Sequence, residues 1–349
     1  MTRASCKAGC DTARRQFLIS LGAFTGSTAL SVVSALAQPA KSRLIDVHHH
    51  IVPQFYFDAV KDRISGIPGW FGWTPQKALA AMDESGVATA ITSYTTPGAW
   101  LGDIQRSRRL ARQCNEYAAQ LTRDYPGRFG FFAAVPLPDA EGSLQEIDYA
   151  FDTLKADGVG LMTSYDNQWL GDSAFARVFD ELNRRKAVVY VHPTAPGCCG
   201  NLMSYVPPFV TEFVQDINRA ITSLVYSGSL AQLREIRFIF SLAGGTMPML
   251  AGRIAQLESL PQLAGKAPNG IQYELKRLYY EIASSANRPA FTALTTLIPT
   301  SQIMFGSDYP FWTIPSTAEG LSTVGLSSAD RAAIERNNAI TLFPRFKRK

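Results

Sequence analysis

Cysteine and histidine are both scarce in this sequence of 349 residues, which contains five cysteines and four histidines. Two of the cysteines fall within the first ten residues, and the others are Cys114, Cys198 and Cys199. An odd number with one adjacent pair is not a disulfide framework, even in an oxidising compartment. Any site built from imidazole groups has very few residues on which to draw.

A strong excess of charge is also missing. The chain has 34 Lys and Arg against 29 Asp and Glu, which gives a net charge of +5. The first 37 residues carry Arg3, Lys7, Arg14 and Arg15 against Asp11, so the net charge without them is +2. A value this small gives no basis for binding nucleic acid.

Long apolar runs are missing beyond the N-terminus. There the pair Arg14-Arg15 has the form of a twin-arginine signature and precedes the weakly apolar stretch LISLGAFTGSTALSVVSALA. The sequence ALA at 35–37 offers a cleavage site. A chance basic pair before a membrane helix is the alternative, but the Gly, Ser and Thr content opposes stable spanning. We therefore predict a twin-arginine signal at 1–37 and a mature domain at 38–349 without a membrane segment, exported by the Tat machinery to a bacterial periplasm.

The mature sequence does contain a regular alternation of short apolar runs with longer amphipathic segments. Eight runs have the length of buried strands, and they are LIDVHHH (44–50), ATAITSY (88–94), FGFFAAV (129–135), GVGLMTS (158–164), VVYVHP (188–193), RFIFSLA (237–243), RLYYEIA (277–283) and QIMFGSD (302–308). Eight parallel strands that alternate with helices predict an α/β fold, a (β/α)8 TIM barrel. A doubly wound sheet is the alternative, but no glycine-rich dinucleotide fingerprint follows the first run.

The histidines lie at the carboxyl ends of these runs. Side chains alternate along a strand, so His48 and His50 should face the barrel mouth together with Asp46, while His49 faces away. His192 ends the fifth run and Asp308 ends the eighth, at the same rim. Taken singly, these residues are compatible with a polar loop, a core histidine or a turn aspartate. Taken together, three imidazoles and a carboxylate suit Zn²⁺ and similar divalent ions.

Ordered motifs across the chain resemble a known family. They run from residue 44 to Trp312 and read IDVHHHIVPQFY, PGRFGFFAAVPLPD, ADGVGLMTSYDNQWLGD, VVYVHPTAP, SLAGGTMPMLAGRI, RLYYEIA and MFGSDYPFW. NNAITLF (337–343) resembles the usual ending of the same family. The sequence is similar to the amidohydrolase superfamily, and more narrowly to its branch of decarboxylases related to aminocarboxymuconate-semialdehyde decarboxylase.

The resemblance implies that His48, His50, His192 and Asp308 hold one divalent metal ion, Zn²⁺ with Mn²⁺ as the alternative. The end of the fourth run, GVGLMTSYDN, lacks the lysine or glutamate that bridges two metals in hydrolytic members. The resemblance further implies a carboxy-lyase that acts on a small aromatic acid of the hydroxybenzoate or salicylate type. It also implies a homodimer.

Two positions depart from the family pattern. The sixth run ends Ser241-Leu242-Ala243, where the family has a histidine in the middle as general acid–base, and leucine carries no titratable group. Glu281 stands where the family more often has aspartate, which we interpret as a longer carboxylate in the same hydrogen bond.

Three accounts of Leu242 remain open. In the first, the metal and Asp308 suffice to decarboxylate an electron-rich aromatic acid, with Asp308 as the catalytic group that moves the proton. In the second, the protein hydrolyses a lactone, ester or amide through metal-activated water. In the third, it is a catalytically weak, metal-containing binding protein that keeps only the scaffold.

Candidate substrate-binding residues are aromatic side chains near strand ends and two arginines. The aromatic ones, which would form apolar walls for a ring-bearing molecule, are Trp70, Trp73, Trp169 and Phe311. Each is equally compatible with core packing. Arg219 and Arg253 could neutralise a substrate carboxylate, and a position on a helix surface is the alternative for both.

Overall fold

The computed structural model describes residues 43–64, 72–199 and 202–347. The predicted signal at 1–37 and the candidate Trp70 lie outside the described residues. Eight strands form the central sheet, and each overlaps one of the predicted apolar runs. They are β1 (Leu44–His50), β2 (Val87–Ser93), β3 (Phe129–Ala134), β4 (Gly158–Met162), β5 (Val188–His192), β6 (Arg237–Phe240), β7 (Tyr279–Glu281) and β8 (Ile303–Met304).

The eight strands are parallel and pair in chain order, so each is hydrogen-bonded to the strand that follows it. Backbone bonds also join the first strand to the segment of the last. The N–H of Val47 donates to the carbonyl of Phe305 at 3.0 Å, and the N–H of Asp308 donates to the carbonyl of His48 at 2.8 Å. The predicted (β/α)8 TIM barrel is therefore confirmed, because a doubly wound sheet reverses its strand order and keeps two free edges.

Helices follow the strands and cover the outside of the barrel. They are α1 (Gln54–Val60), α2 (Pro75–Glu84), α3 (Ile104–Asp124), α4 (Ala140–Asp148), α5 (Ala176–Arg184), α6 (Pro208–Ser227), α7 (Ser229–Gln232), α8 (Met247–Gln256), α9 (Ile271–Lys276), α10 (Arg288–Leu297), α11 (Ile314–Ser322), α12 (Ser328–Ala332) and α13 (Asn338–Leu342). Thr74, Asp103, Asp139 and Asn287 each cap a helix by accepting an N–H of its first turn. No helix in the described part of the chain combines the length and apolar composition needed to cross a bilayer.

Apolar side chains fill the inside of the barrel. This interior cluster consists of Ile45, Val47, Ile91, Phe132, Val188, Tyr190, Ile239 and Met304, with Ala339, Phe343 and Phe346 from the C-terminal segment. The rings of Phe132 and Tyr190 stack with their centroids 5.1 Å apart. A second, larger cluster lies between the sheet and the helices, as a parallel sheet buried on both faces requires. The interior cluster is a packed layer beneath the side chains at the carboxyl ends of the strands.

Candidate metal centre

Four side chains converge where the barrel opens at the carboxyl ends of its strands. They come from the end of β1, the end of β5 and the segment after β8, and they are His48, His50, His192 and Asp308. One ligand atom from each lies within 4.8 Å of all the others. The Nε2 atoms of His48 and His50 are 3.0 Å apart, and Asp308 Oδ1 lies 3.2 Å from the first and 3.1 Å from the second. The structure thus brings together the four residues predicted as metal ligands.

Partners on the far side of two of the three imidazoles, those of His48 and His50, fix their orientation. The Nδ1 atom of His48 is 2.8 Å from Oε1 of Glu281, and that of His50 is 3.3 Å from the carbonyl of Ser93. A neutral imidazole that donates through Nδ1 presents an unprotonated Nε2, so both Nε2 lone pairs point at one position. Two lone pairs and a carboxylate oxygen in contact repel one another unless a cation lies between them. The donor set therefore fits a divalent metal ion.

The charges of the protein groups favour one positive charge at this position. Burial opposes protonation of His48, yet the carboxylates of Glu281 and Asp308 outweigh it and raise its pKa to about 10. Burial lowers the pKa of His50, and burial together with the other two imidazoles lowers that of His192 well below its usual value. Burial opposes ionisation of Asp308, but the charges of His48 and His50 and the hydrogen bonds from them lower its pKa. The two carboxylates thus favour a positive charge beside them, which a proton on His48 or a bound metal ion can supply.

His49 faces away from the other two histidines, as predicted, but the prediction that Asp46 shares their face is wrong. Asp46 Oδ2 accepts a hydrogen bond from His49 Nδ1 at 3.0 Å, and both Asp46 oxygens are also bonded to Ser307. The pairing of β1 with β2 shifts register between Asp46 and His49. This irregularity interrupts the alternation, so that Val47 belongs to the interior cluster and His48 also points inward.

Glu281 is the carboxylate that connects the metal centre to Leu242. Its Oε1 accepts from the Nδ1 of His48 and from the backbone N–H of Leu242, both at 2.8 Å. Its Oε2 accepts from the N–H of Ala283 at 2.6 Å. A Cβ atom at Gly306 would lie 2.0 Å from Oε2, so the longer glutamate fits only because residue 306 is glycine. Leu242 itself follows β6, is buried and has a left-handed backbone conformation with φ 49°.

The structure places the candidate substrate-binding residues in different environments. Phe311 lies at the metal centre, with its ring centroid 5.5 Å from that of His50. Trp169 is half-buried in the segment after β4, and its Nε1 donates to Asp216. Trp73 packs into the core with its ring 6.4 Å from that of Tyr117 on α3.

The two candidate arginines both lie on helices. Arg219 on α6 is paired with Glu212 at 3.4 Å and with Asp216 at 3.5 Å. Arg253 is exposed in the last turn of α8. The carboxylates beside Arg219 already neutralise much of its charge, and neither arginine contacts one of the four ligands.

One aromatic neighbour of the centre is not evident in the sequence. The ring of Phe213 on α6 lies 6.3 Å from that of His192 in an edge-on arrangement. No motif marks Phe213, because it belongs to a helix that begins well after β5 rather than to a strand end. Only the packing of α6 across the barrel mouth brings it to the site.

Comparison with known proteins agrees with this geometry. Residues 45–345 match the family model described as amidohydrolase. The chain is 36% identical over 321 residues to the 6-methylsalicylic acid decarboxylase acuB of Aspergillus aculeatus. The alignment covers 87% of this chain and 97% of that relative. It is 35% identical over 325 residues to the decarboxylase yanB of Aspergillus niger, and that alignment covers 87% of this chain and 88% of the relative.

A solved structure shares the fold. The dihydroxybenzoic acid decarboxylase from Polaromonas sp. JS666, crystallised with manganese and the inhibitor 2-nitroresorcinol, superposes with a TM-score of 0.78 at 21% identity. The superposition covers 88% of this chain and 98% of that one. The family match includes residues of all eight strands and the four converging side chains. The chain therefore belongs to the amidohydrolase family.

Proposed function

We propose that the protein is a metal-dependent carboxy-lyase that acts on a small aromatic acid of the hydroxybenzoate or salicylate type. The observation that carries this proposal is the donor set at the barrel mouth, which consists of the buried His48, His50 and His192 and the partly buried Asp308. Two aromatic rings, Phe213 and Phe311, lie beside it and suit a ring-shaped substrate. The similarity to decarboxylases of aromatic acids over 87% of the chain supports the same reaction.

We infer one divalent ion per chain. Three imidazole nitrogens and one carboxylate oxygen suit Zn²⁺, which we propose as the ion. Mn²⁺ is the alternative, since the dihydroxybenzoic acid decarboxylase of Polaromonas has it bound. An ion of this kind supplies Lewis acidity toward the oxygen atoms of the substrate.

The reaction needs one bond to break and one proton to be delivered. The bond between the ring carbon and the carboxyl carbon breaks, carbon dioxide leaves, and the ring carbon takes up a proton. All four histidines of the chain are placed by the structure: three are in the donor set, and His49 is bonded to Asp46. Leu242 carries no proton to transfer. We therefore assign the proton transfer to Asp308, the one carboxylate of the donor set. Because its lowered pKa keeps it ionised, Asp308 would first take the proton from the hydroxyl or carboxyl group of the substrate and then pass it to the ring carbon.

Metal content and carbon dioxide release together test this function. Elemental analysis should find about one divalent ion per chain, consistent with one donor set. Release of carbon dioxide from 2-hydroxybenzoate or its 6-methyl derivative should stop after chelation and return when Zn²⁺ or Mn²⁺ is added back. Cleavage of ester or lactone probes without carbon dioxide release would make the protein a hydrolase instead. Metal-dependent binding of the aromatic acid without turnover would make it a binding protein.

We further propose that the protein is exported to the periplasm by the twin-arginine route. The support is the sequence Arg14-Arg15, followed by an apolar stretch and a cleavage site at 35–37. A reporter fused behind residues 1–40 should reach the periplasm. The double change Arg14→Lys with Arg15→Lys should stop export, and continued export of that variant would remove the case for this signal.

We also propose a homodimer. Large apolar side chains are exposed beside the barrel mouth, in the segment before α6 and on α6 and α8, and they are Leu202, Tyr205, Val210 and Met249. Exposed apolar side chains that cluster on a surface are typical of protein contacts. Light scattering during size-exclusion chromatography should give twice the chain mass of the mature protein, and a monomer at micromolar concentration would contradict the proposal.

A further inference from the structure

Asp216 is a fully buried carboxylate on α6 that accepts hydrogen bonds from three side chains outside its own helix. Its Oδ2 accepts from Thr163 Oγ1 at 2.5 Å and from Ser164 Oγ at 2.9 Å. Its Oδ1 accepts from Trp169 Nε1 at 2.7 Å. A carboxylate is stable inside a protein only when its oxygens are paired in this way. The nearest cation, Arg219, is 3.5 Å away.

The first two bonds tie Asp216 to the segment that follows β4, next to the end of β5 that carries His192. Thr163 directly follows β4, and its N–H donates to the carbonyl of His192 at 2.9 Å. Its hydroxyl also accepts from the N–H of Thr194 at 3.0 Å. Asp216 therefore holds the ends of β4 and β5 against α6, next to His192.

The third bond fixes a hairpin on the same face of the barrel. Ser164–Tyr165 pairs antiparallel with Gln168–Trp169, across a two-residue turn in which Asp166 and Asn167 both have positive φ. The hairpin places the half-buried indole of Trp169 at the carboxyl end of the barrel. An indole has one donor, so its single fixed acceptor restricts how the ring can be oriented.

We propose that Asp216 is a positioning residue that orients Trp169 as a wall of the substrate pocket. This inference rests on the proposed function, because it takes an aromatic acid as the molecule bound at the metal centre. Asp216 belongs neither to the donor set nor to the groups that move a proton. Its loss should therefore raise KM for the aromatic acid and leave kcat nearly unchanged.

The test is a double-mutant cycle in the metal-loaded, full-length mature protein. Asp216→Asn keeps the size of the side chain but removes its charge, so the neutral amide holds the indole less strongly through its oxygen and not at all through its NH₂ group. Trp169→Phe keeps a ring and removes the donor. Each variant should raise KM for 2-hydroxybenzoate about tenfold, and the double variant should be no worse than either, since the two act as one unit. Additive effects on KM, or unchanged KM in Trp169→Phe, would overturn the proposal.

Asp172→Asn is the matched control. Asp172 lies in the same segment and caps the short turn Ser173–Phe175 through the N–H of Ala174, without touching Asp216. Its loss should leave KM at the wild-type value. A rise in KM equal to that of Asp216→Asn would mean that any disturbance of the segment has the same effect, which would also overturn the proposal.

A readout without turnover separates this inference from the reaction itself. In protein labelled with ¹⁵N-tryptophan, the indole signal of Trp169 is assigned by its loss in Trp169→Phe. It should move upfield in Asp216→Asn, and in the wild type it should respond to added 2-hydroxybenzoate. If these shifts occur but no carbon dioxide is released, the positioning role stands and the proposed reaction fails. If the signal is the same in Asp216→Asn as in the wild type, Asp216 does not orient Trp169.

Discussion

The Nδ1 atom of His48 lies 2.8 Å from Oε1 of Glu281, and both side chains are fully buried in the barrel. The same carboxylate also accepts the N–H groups of Leu242 and Ala283, so three donors hold it in place. A carboxylate behind a metal-binding histidine fixes the tautomer and makes the ligating nitrogen more basic. Glu281 therefore contributes to metal binding through His48, the ligand that it orients.

Glu281→Gln should weaken metal binding about 10- to 100-fold, the usual cost of losing such a partner. The amide can keep its oxygen toward His48 only by turning its NH₂ group toward the N–H of Ala283, which leaves two donors facing each other. Competition with a chromophoric chelator measures the affinity. Glu274→Gln, a buried glutamate paired with Arg234 and Arg277 on the outside of the barrel, should lower stability but leave metal affinity at the wild-type value.

Gly306→Ala should displace Glu281 and lower both metal affinity and the melting temperature. The new Cβ would lie 2.0 Å from Oε2 of Glu281 and 2.8 Å from Cβ of His48, and overpacking of this kind costs about 1–3 kcal/mol. Gly252→Ala on α8 is the control, because its Cβ meets nothing within 4 Å. Calorimetry should show Gly252→Ala to be unchanged or slightly more stable, and equal destabilisation by both changes would refute the steric argument.

His192→Ala should strip the metal, whereas His49→Ala should retain it. His192 supplies one of the four ligands, while His49 is bonded to Asp46 and stacks on Tyr309 with ring centroids 4.8 Å apart. Removing His49 leaves a buried carboxylate with one donor fewer, so the variant should be less stable yet metal-loaded. Elemental analysis of both purified proteins checks this, and equal loss of metal would contradict the assignment of the ligands.

Leu242→His should increase carbon dioxide release from a 2-hydroxybenzoate about tenfold or more, because it restores a general acid–base at the barrel mouth. A new ionisation near neutral pH should accompany the gain in the pH–rate profile. The backbone N–H of residue 242 still reaches Glu281 in this variant, so the metal centre should stay intact.

Metal content and a structure of Leu242→His are the necessary controls, since the buried position can prevent the imidazole from reaching the substrate. A folded, metal-loaded variant that decarboxylates no hydroxybenzoate faster than the wild type would argue against the decarboxylase function. If the protein is a hydrolase, the wild type should cleave ester or lactone probes, and Leu242→His should gain little activity.

The sequence by itself determined the barrel and the donor set. Eight apolar runs separated by amphipathic segments are local patterns, and parallel strands in a closed barrel all end at one rim. Residues at the ends of runs one, five and eight therefore had to meet, which is why His48, His50, His192 and Asp308 could be chosen without coordinates.

Only the tertiary structure decided what surrounds that set. Glu281 and His48 are 233 residues apart in the sequence, and Asp216 and Trp169 are 47 residues apart. No local periodicity in the sequence therefore links either pair. The direction of the Asp46 side chain could not be predicted for a similar reason. It follows from a shift in register, which depends on how β1 pairs with β2 rather than on β1 alone. Alternation along a strand is a property of the backbone and can be seen in the sequence, whereas hydrogen bonds between distant side chains depend on packing that exists only in the folded chain.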